Sequence, residues 1–337
     1  MKSTSKNNDL KTDNIFLCPK CHKNINENKD YLICELGHKF FIKDKIYLFN
    51  KKLDNFYEGK FINLNQDFNF KNPIMLCIYK TWSKISLSRR HDRAFQNIIS
   101  EFPKGKFVLD FGCGDGNISY NKMGKVVGID ISHQSLENAK KIYHKVVMYN
   151  GSILPFKKNT FDYVFSNQVF GHIPCNKKNI IIQEIKRVLK TNGIIYLSIE
   201  TDSKENSLVD FIKEYPKLYK KQWIEMYGHF GLELPSQCIK RFQKNGFKIL
   251  KVEKGLRYLW QAKGYFNIFK KNYAKKNQYI KMLTIISKPF AENIYLGAIW
   301  DFVLGIFSRL FEWHLPLDSC TGIMLICKSD KMNTSKN

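Results

Sequence analysis

The chain has 337 residues, of which 44% are hydrophobic, so it can bury one large and one small domain or two ordinary domains. This composition excludes a chain that is disordered over its whole length. The net charge of +25 suits a nucleic-acid or anionic-membrane partner, but Lys far outnumbers Arg, as codon bias in an AT-rich genome would also produce. Charge alone therefore selects no partner.

The N-terminus carries no sign of a secretion signal. The first 14 residues are polar and Lys-rich, and the apolar run at 15–17 is far too short for the core of a signal peptide. We therefore expect a cytoplasmic protein, in which closely spaced cysteines are metal ligands more often than disulfides.

Residues 15–50 form a compact unit with its own pattern of cysteine and histidine. Cys18 and Cys21 are followed, after twelve residues, by Cys34 and His38. Two pairs of soft or borderline ligands suit one tetrahedral zinc ion. The sequence therefore predicts a small zinc-ribbon module with Zn²⁺ as its metal.

Strands of the ribbon are predicted on both sides of the second ligand pair, at 31–33 and 39–42. Residues 51–92 mix Asn-rich stretches with an apolar stretch around 74–82, and we interpret them as a linker and a helical lid. From about residue 93 to residue 330, strands and helices alternate regularly, which predicts a second and larger domain.

The larger domain has the pattern of an α/β fold. Strands are predicted at 107–110, 125–130, 146–149, 161–166, 194–199, 247–252 and 322–327, and helices at 135–143, 180–189 and 235–243. This alternation predicts a doubly wound, mostly parallel, seven-stranded sheet. The last two strands are separated by a predicted helical insertion, 256–318, which begins basic and aromatic and ends strongly apolar.

A glycine-rich turn follows the first strand of this domain and is predicted to open a helix. Asp110 is followed by Gly112 and Gly114, and Asp130 ends the second strand. Glycines at such a turn let the backbone approach a ligand, and a carboxylate ending the second strand can bind both ribose hydroxyls of an adenosine. A dinucleotide-binding turn needs a third glycine where this chain has Asn117, and Asp110 would repel a pyrophosphate but suits the amino group of a methionine.

Further motifs follow in chain order: Asn150-Gly151-Ser152-Ile153-Leu154-Pro155-Phe156, Phe161-Asp162-Tyr163-Val164-Phe165-Ser166, Gly171-His172-Ile173, and a helix and turn at 184–193. Together with the glycine-rich turn, they make residues 93–200 resemble the class I S-adenosylmethionine-dependent methyltransferases, in particular the type-11 group that includes quinone-biosynthesis enzymes. The resemblance implies a Rossmann-like fold and an S-adenosylmethionine cofactor.

By this resemblance, the cofactor would be bound by residues at the ends of the first four strands. These are Asp110, Gly112, Gly114, Asp130, Ile131, Asn150, Gly151, Asn167 and Gln168. The adenine contact in the family is usually Asp, but the amide oxygen of Asn150 can accept the same hydrogen bond. The zinc-ligand pattern resembles ribbons that precede the core in some ribosomal-RNA guanine methyltransferases. The run 43–49 resembles short ribbons on bacterial methyltransferases whose acceptors are not obvious, so the ribbon selects no acceptor.

Methyl transfer from a sulfonium relies mainly on alignment and on exclusion of water, and a base helps only if the acceptor loses a proton early. Two histidines are the candidate catalytic residues. His172 follows the fourth strand, and His229 precedes the helix predicted at 235–243.

The insertion gives an indication of the acceptor. Between Glu253 and Glu292 no acidic residue occurs, and Lys and Arg alternate with Tyr, Trp and Phe. Such a segment suits stacked bases on a phosphate track, and equally an anionic membrane surface. Charges interrupt the apolar stretch 294–313, which favours a peripheral or lid helix over a membrane span.

We therefore predict a methyltransferase that acts on a small hydrophobic or lipid-linked acceptor and makes peripheral contact with an anionic membrane. The alternatives are an RNA base methyltransferase guided by the zinc ribbon and a non-enzymatic S-adenosylmethionine-binding module. The intact residues Asp110, Gly112, Gly114 and Asp130 argue against the second alternative. The sequence does not indicate the oligomeric state.

Overall fold

The computed structural model of the chain describes residues 14–50, 53–60, 73, 103–204, 213–255, 278–293, 295–297, 299–300, 303 and 316–330. The strands are β1 (Ile25–Glu27), β2 (Tyr31–Cys34), β3 (Lys39–Lys43), β4 (Ile46–Leu48), β5 (Lys106–Phe111), β6 (Gly124–Asp130), β7 (Lys145–Met148), β8 (Phe161–Asn167), β9 (Leu189–Glu200), β10 (Phe247–Gly255) and β11 (Gly322–Ser329). The longer helices are α1 (His133–Ala139), α2 (Cys175–Val188), α3 (Pro235–Lys244) and α4 (Gln278–Glu292). Shorter helical segments lie at Ile118–Lys122, Pro216–Tyr219, Lys220–Met226 and Leu317–Ser319.

These strands form one sheet in the order β1-β2-β3-β4-β7-β6-β5-β8-β9-β11-β10. Neighbours among β5 to β9 are parallel, whereas β11 is antiparallel to both β9 and β10. The seven strands predicted for the larger domain are present, and the Rossmann-like α/β fold is confirmed. The chain order reverses at β5, because β6 lies on one side and β8 on the other, and ligands bind at the carboxyl ends of the strands at such a switch point.

The sheet is wider than the seven strands predicted. The N-terminal module, residues 14–50, contributes four strands that continue the same sheet, because β4 pairs in parallel with β7. Phe16 of the module lies over Phe156 of the larger domain, with ring centroids 6.0 Å apart. The edge of β7 needs hydrogen-bond partners and β4 supplies them, which the sequence pattern of either segment does not reveal.

The core occupies both faces of the sheet. Successive residues of β5, Val108 and Leu109, are fully buried and belong to two different apolar clusters. Leu109 shares one cluster with Val164 of β8, and Val108 shares the other with Phe165. Side chains alternate across a strand, so a parallel strand covered on both faces needs an unbroken apolar run.

Two helix predictions need correction. No α-helix opens at the glycine-rich turn; a short 3₁₀ segment, Ile118–Lys122, follows it, and the side chain of Asn117 caps that segment by accepting from the Ser119 N–H at 3.0 Å. Three glycines with positive φ precede it, so the chain cannot become helical earlier. Helix α2 begins five residues before the predicted start at 180, because its first three residues, 175–177, are exposed and the fourth, Lys178, is buried but charged, so that the apolar period is absent there.

Parts of two predicted segments lie outside the described residues. Of the predicted linker and lid, 51–92, the structure describes 53–60 and 73, and of the predicted insertion, 256–318, it describes α4, scattered positions from 293 to 303, and 316–318. The basic stretch 256–277 is outside it. Helix α4 exposes Met282, Ile285 and Ile286. Within the described part of the chain, no helix is long and apolar enough to cross a membrane.

Candidate active site

The glycine-rich turn leaves space beside the end of β5. Gly112 has φ +72°, and a Cβ atom built on it would lie 2.3 Å from Cγ2 of Val169. Gly114 has φ +49°, and a Cβ atom there would meet nothing within 4 Å. Gly112 is therefore needed for the close contact with the loop after β8, whereas Gly114 borders open space that a ligand can occupy.

Asp110 lies at this turn as a buried carboxylate. Its Oδ2 accepts a hydrogen bond of 2.6 Å from the hydroxyl of Tyr143, which itself accepts from the Asn117 N–H at 2.5 Å. Burial raises the pKa of Asp110 to about 7, the charge of Asp130 adds to the rise, and the Tyr143 hydrogen bond opposes it. A cation placed beside Asp110, such as the amino group of a methionine, would stabilise the ionised form.

Asp130 is fixed at the carboxyl end of β6 by backbone N–H groups. Its Oδ2 accepts from Gly114 at 2.8 Å and its Oδ1 from Ser132 at 2.9 Å. Burial raises its pKa, although these hydrogen bonds act in the opposite direction. Each carboxylate oxygen has a second lone pair, so Asp130 can still accept from the two hydroxyls of a ribose. Ile131, half-buried, follows it directly.

A segment that sequence reasoning missed, 53–60, lies against the predicted adenine side. Asp54 accepts a 3.1 Å hydrogen bond from Nδ2 of Asn150, which leaves the amide oxygen of Asn150 to accept from an adenine amino group. The carboxylate of Glu58 accepts from the first two N–H groups of α1, at 3.0 and 2.7 Å. Gly151 follows Asn150 and is exposed. No local sequence pattern predicts the contacts of Asp54 and Glu58, because their partners are more than seventy residues away in the chain.

Two predicted cofactor residues end β8. Asn167 is the exposed last residue of the strand, and Gln168 has φ +56° and donates its N–H to the Ser198 carbonyl at 2.8 Å. The chain turns sharply there, and the next residue, Val169, makes the close contact with Gly112. The loop that continues to His172 therefore lies directly against the glycine-rich turn.

The two candidate catalytic histidines lie side by side, with Glu200 between them. Nε2 of His229 is 3.0 Å, and Nε2 of His172 is 3.7 Å, from Oε2 of Glu200. Burial lowers the pKa of His172, and the charge of Glu200 only partly offsets this. Sequence reasoning missed Glu200; its signal was its place as the last residue of β9, the strand beside β8, at the edge where reactive groups gather.

A buried ion pair holds the two histidine loops together. Nζ of Lys178 donates to the Gly231 carbonyl at 2.5 Å and to Oε2 of Glu233 at 2.7 Å. The N–H of Gly231 donates to the carbonyl of Gly171 at 3.0 Å. A Cβ atom on Gly231 would lie 1.8 Å from the Ile173 carbonyl oxygen, so only glycine allows this approach.

The four predicted zinc ligands meet in the N-terminal module. Nδ1 of His38 is 3.5 Å from Sγ of Cys18 and 3.4 Å from Sγ of Cys34, and Sγ of Cys21 is 3.6 Å from Sγ of Cys34. Donors bound tetrahedrally at about 2.0–2.3 Å from zinc would be about 3.4–3.8 Å apart, so the residues fit the ion.

The sheet order, the glycine-rich turn and the carboxylate ending β6 define a nucleoside-binding protein of the Rossmann-like class. Residues 103–264 match the model of a methyltransferase domain. The uncharacterised protein MJ1123 of Methanocaldococcus jannaschii is 33% identical over 164 residues, which cover 46% of this chain and 72% of that protein. The chain belongs to the same family as MJ1123, and its larger domain is a methyltransferase domain.

Two named relatives are more distant. A tRNA (carboxymethyluridine(34)-5-O)-methyltransferase of Arabidopsis thaliana is 25% identical over 37% of this chain and 32% of its own length. A demethylmenaquinone methyltransferase of Oceanobacillus iheyensis is 26% identical over 50% of this chain and 66% of its own length. The uncharacterised protein MJ1252 of M. jannaschii is 35% identical over 125 residues, and the chain spans about half of that protein's length, 48%.

Proposed function

We propose that the chain is an S-adenosylmethionine-dependent methyltransferase whose acceptor is a small hydrophobic or lipid-linked molecule. One observation carries the proposal. The loop from Val169 to His172 packs on Gly112 of the cofactor turn, so the group His172, Glu200 and His229 stands next to the place where the methyl donor would lie.

The residues at the turn fit the donor. Asp110 would hold the amino group, Asp130 the ribose hydroxyls and Asn150 the adenine. When bound, S-adenosylmethionine supplies a methyl group from a positively charged sulfur, and the sulfur keeps the electron pair of the carbon–sulfur bond that breaks. The side chains of His172, Glu200 and His229 would bind the reactive polar atom of the acceptor and favour the loss of its proton, which suits a hydroxyl or amine nucleophile.

Two observations support an apolar acceptor. Met282, Ile285 and Ile286 form an exposed apolar strip on α4, within the predicted insertion. A relative is named for a demethylmenaquinone substrate. We propose that the insertion, 256–318, caps the acceptor pocket, that its basic first half attracts an anionic headgroup or membrane surface, and that the protein is cytoplasmic.

An RNA acceptor is the second candidate. It is favoured by the relative named for a tRNA substrate and by the high positive charge. The two candidate acceptors predict that the protein binds different polyanions. A lipid-linked acceptor predicts binding to anionic vesicles, whereas an RNA acceptor predicts binding to structured RNA with a steep salt dependence.

The test uses methyl-labelled donor with extracts divided into lipid and RNA fractions, followed by mass analysis of the labelled product. Label in an organic-soluble product supports the proposal, and label confined to RNA selects the alternative. A variant with Lys270, Lys271, Lys275 and Lys276 changed to Gln should lose vesicle binding and keep its affinity for the donor. Absence of vesicle binding in the parent protein, together with salt-sensitive RNA binding, contradicts the lipid acceptor.

We also propose that Cys18, Cys21, Cys34 and His38 hold one structural Zn²⁺. Four protein ligands fill a tetrahedral site, so such an ion stabilises its module rather than taking part in the reaction. Elemental analysis of protein purified without chelators should find zinc that Cys34→Ser loses. Protein without stoichiometric metal would contradict the site.

A further inference from the structure

We propose that His172, Glu200 and His229 bind one divalent first-row transition metal ion beside the methyl donor. One nitrogen from each imidazole and one carboxylate oxygen all lie within 4.8 Å of one another. The three residues come from three separate elements: the loop after β8, the end of β9 and the loop before α3. Two histidines with one carboxylate form a donor set that holds such ions and leaves coordination positions open.

The spacing between donors fits an ion. Two donor atoms each about 2.1 Å from a metal are about 3.0 Å apart at a right angle and about 3.6 Å apart at 120°. The distances from Oε2 of Glu200 are 3.0 Å to His229 and 3.7 Å to His172. The donors can therefore share an ion with little movement of the loops that carry them.

The hydrogen bonds orient His172 as a ligand. Its Nδ1 lies 3.1 Å from the carbonyl oxygen of Gly228, which can only accept, so Nδ1 carries the hydrogen. The neutral ring then presents the lone pair of Nε2 towards Glu200. Metal-binding histidines in proteins are commonly oriented in this way by a backbone carbonyl on the opposite nitrogen.

Glu200 supplies the second observation. Its Oε2 is buried and makes no hydrogen bond to any of the residues that the structure describes, although Nε2 of His229 is 3.0 Å away. Nδ1 of His229 is likewise buried without a hydrogen bond in that part of the chain. Buried polar atoms are normally satisfied, so a carboxylate oxygen that has no hydrogen bond and faces two imidazole nitrogens indicates a place for a cation.

The donor set indicates the class of ion and of acceptor. Imidazole and carboxylate together suit Mn²⁺, Fe²⁺ or Zn²⁺, whereas the thiolates of the N-terminal module select zinc more narrowly. The open positions would take an oxygen of the acceptor and favour its deprotonated form. The histidines would then act as ligands, and the proton that the acceptor loses would pass to solvent water before its oxygen forms the bond to the methyl carbon. Binding of the ion stands on geometry alone, but its part in methyl transfer rests on the function proposed above.

The test measures Mn²⁺ binding to the full zinc-loaded chain by electron paramagnetic resonance, and the zinc content by equilibrium dialysis. Parent protein should bind one Mn²⁺, or one zinc beyond that of the cysteine site. Glu200→Gln and His229→Ala should each weaken this binding more than tenfold. The control is His133→Ala, because His133 also faces a carboxylate, Glu137 at 4.0 Å, but on the partly exposed surface of α1. Equal binding by all four proteins, or no second ion of either kind in the parent, overturns the site.

A second readout needs no variant. Electron spin-echo modulation of Mn²⁺ in the parent protein should show coupling to imidazole nitrogen, and its absence overturns the site even if the variants fail to fold. Methyl transfer is measured separately. An ion bound by a protein that methylates nothing contradicts the proposed function and leaves the metal site standing. Methyl transfer that continues unchanged in a chelator, with no ion bound, contradicts a part for the ion in the reaction and leaves the proposed function standing.

Discussion

At the scale of single residues, the pKa of Asp110 makes donor binding depend on pH. From pH 3.8, the ordinary pKa of an Asp side chain, to about pH 7, Asp110 of the folded chain is protonated when no donor is bound. Asp110 must lose this proton before its ionised form can bind the amino group of the donor. Donor affinity should therefore rise by up to roughly tenfold per pH unit as the pH approaches 7 and level off above it. Calorimetry in buffers of different ionisation enthalpy measures the released proton. The same slope in Asp110→Asn would contradict this origin.

The same raised pKa affects stability without the donor. The folded state binds this proton more tightly than the unfolded state does, so the contribution of Asp110 to stability is largest below about pH 3.8 and is lost as the pH rises towards 7. The difference in free energy of unfolding between parent and Asp110→Asn, followed by urea titration across this range, isolates the effect. A difference that does not change with pH would rule it out.

Asp130 should carry much of the affinity for the nucleoside. Asp130→Ala leaves two ribose hydroxyls poorly paired and also removes the acceptor for Gly114 and Ser132, so donor affinity should fall more than tenfold. Asp130→Asn keeps the shape and one acceptor oxygen and should lose less. Calorimetric titration with S-adenosylmethionine decides the matter, and an unchanged dissociation constant in the alanine variant would remove Asp130 from the site.

Residues that act within one turn were predictable, and residues that act through distant partners were not. Asp110, Gly112 and Gly114 lie within five positions, and the structure places them at one turn beside Asp130, whereas their part in donor binding stays a prediction. Glu200 is 28 positions from His172 and 29 from His229, so only the fold brings the three together. Asp54 and Glu58 have partners more than seventy positions away, so again only the fold brings the groups together.

At the scale of elements, the ion pair between Lys178 on α2 and Glu233 before α3 should be a major determinant of stability. Both side chains are nearly inaccessible, and Lys178→Met leaves Glu233 paired with Arg241 alone, so the change should cost about 1.5–3 kcal/mol. Lys190→Met is the matched control, because Lys190 pairs with Asp162 at the surface and should cost less than about 1 kcal/mol. Equal losses in urea unfolding would show that burial does not govern the effect.

The elements themselves were predicted to different degrees. Strands buried on both faces, such as β5, give apolar runs that are hard to mistake. The start of α2 was missed because its first turn has no apolar period, and the helix expected after the glycine-rich turn was wrong because three left-handed glycines delay it. The pairing of β4 with β7 depends on complementary edges far apart in the chain, which no local pattern records.

At the scale of the whole molecule, the N-terminal module and the cofactor site should be coupled. Segment 53–60 follows β4 almost directly and contacts Asn150, α1 and the loop at Gly228. Loss of zinc through Cys34→Ser should therefore weaken donor binding as well as the module, by about tenfold or more, because contacts on the adenine side are released. Calorimetry with S-adenosylmethionine tests this, and zinc-free protein of full affinity would show that the two units are independent.

The pairing of β4 with β7 also bears on solubility. A strand left at the edge of a sheet presents a row of unpaired N–H and C=O groups that can template pairing with another chain. With the module in place, the described sheet ends at the three-residue β1 on one side and at β10, with Lys248, Lys251 and Lys254, on the other. Short strands and lysines are features that resist edge-to-edge aggregation. A chain that lacks the N-terminal module and keeps the larger domain would expose the edge of β7 and should self-associate through that edge.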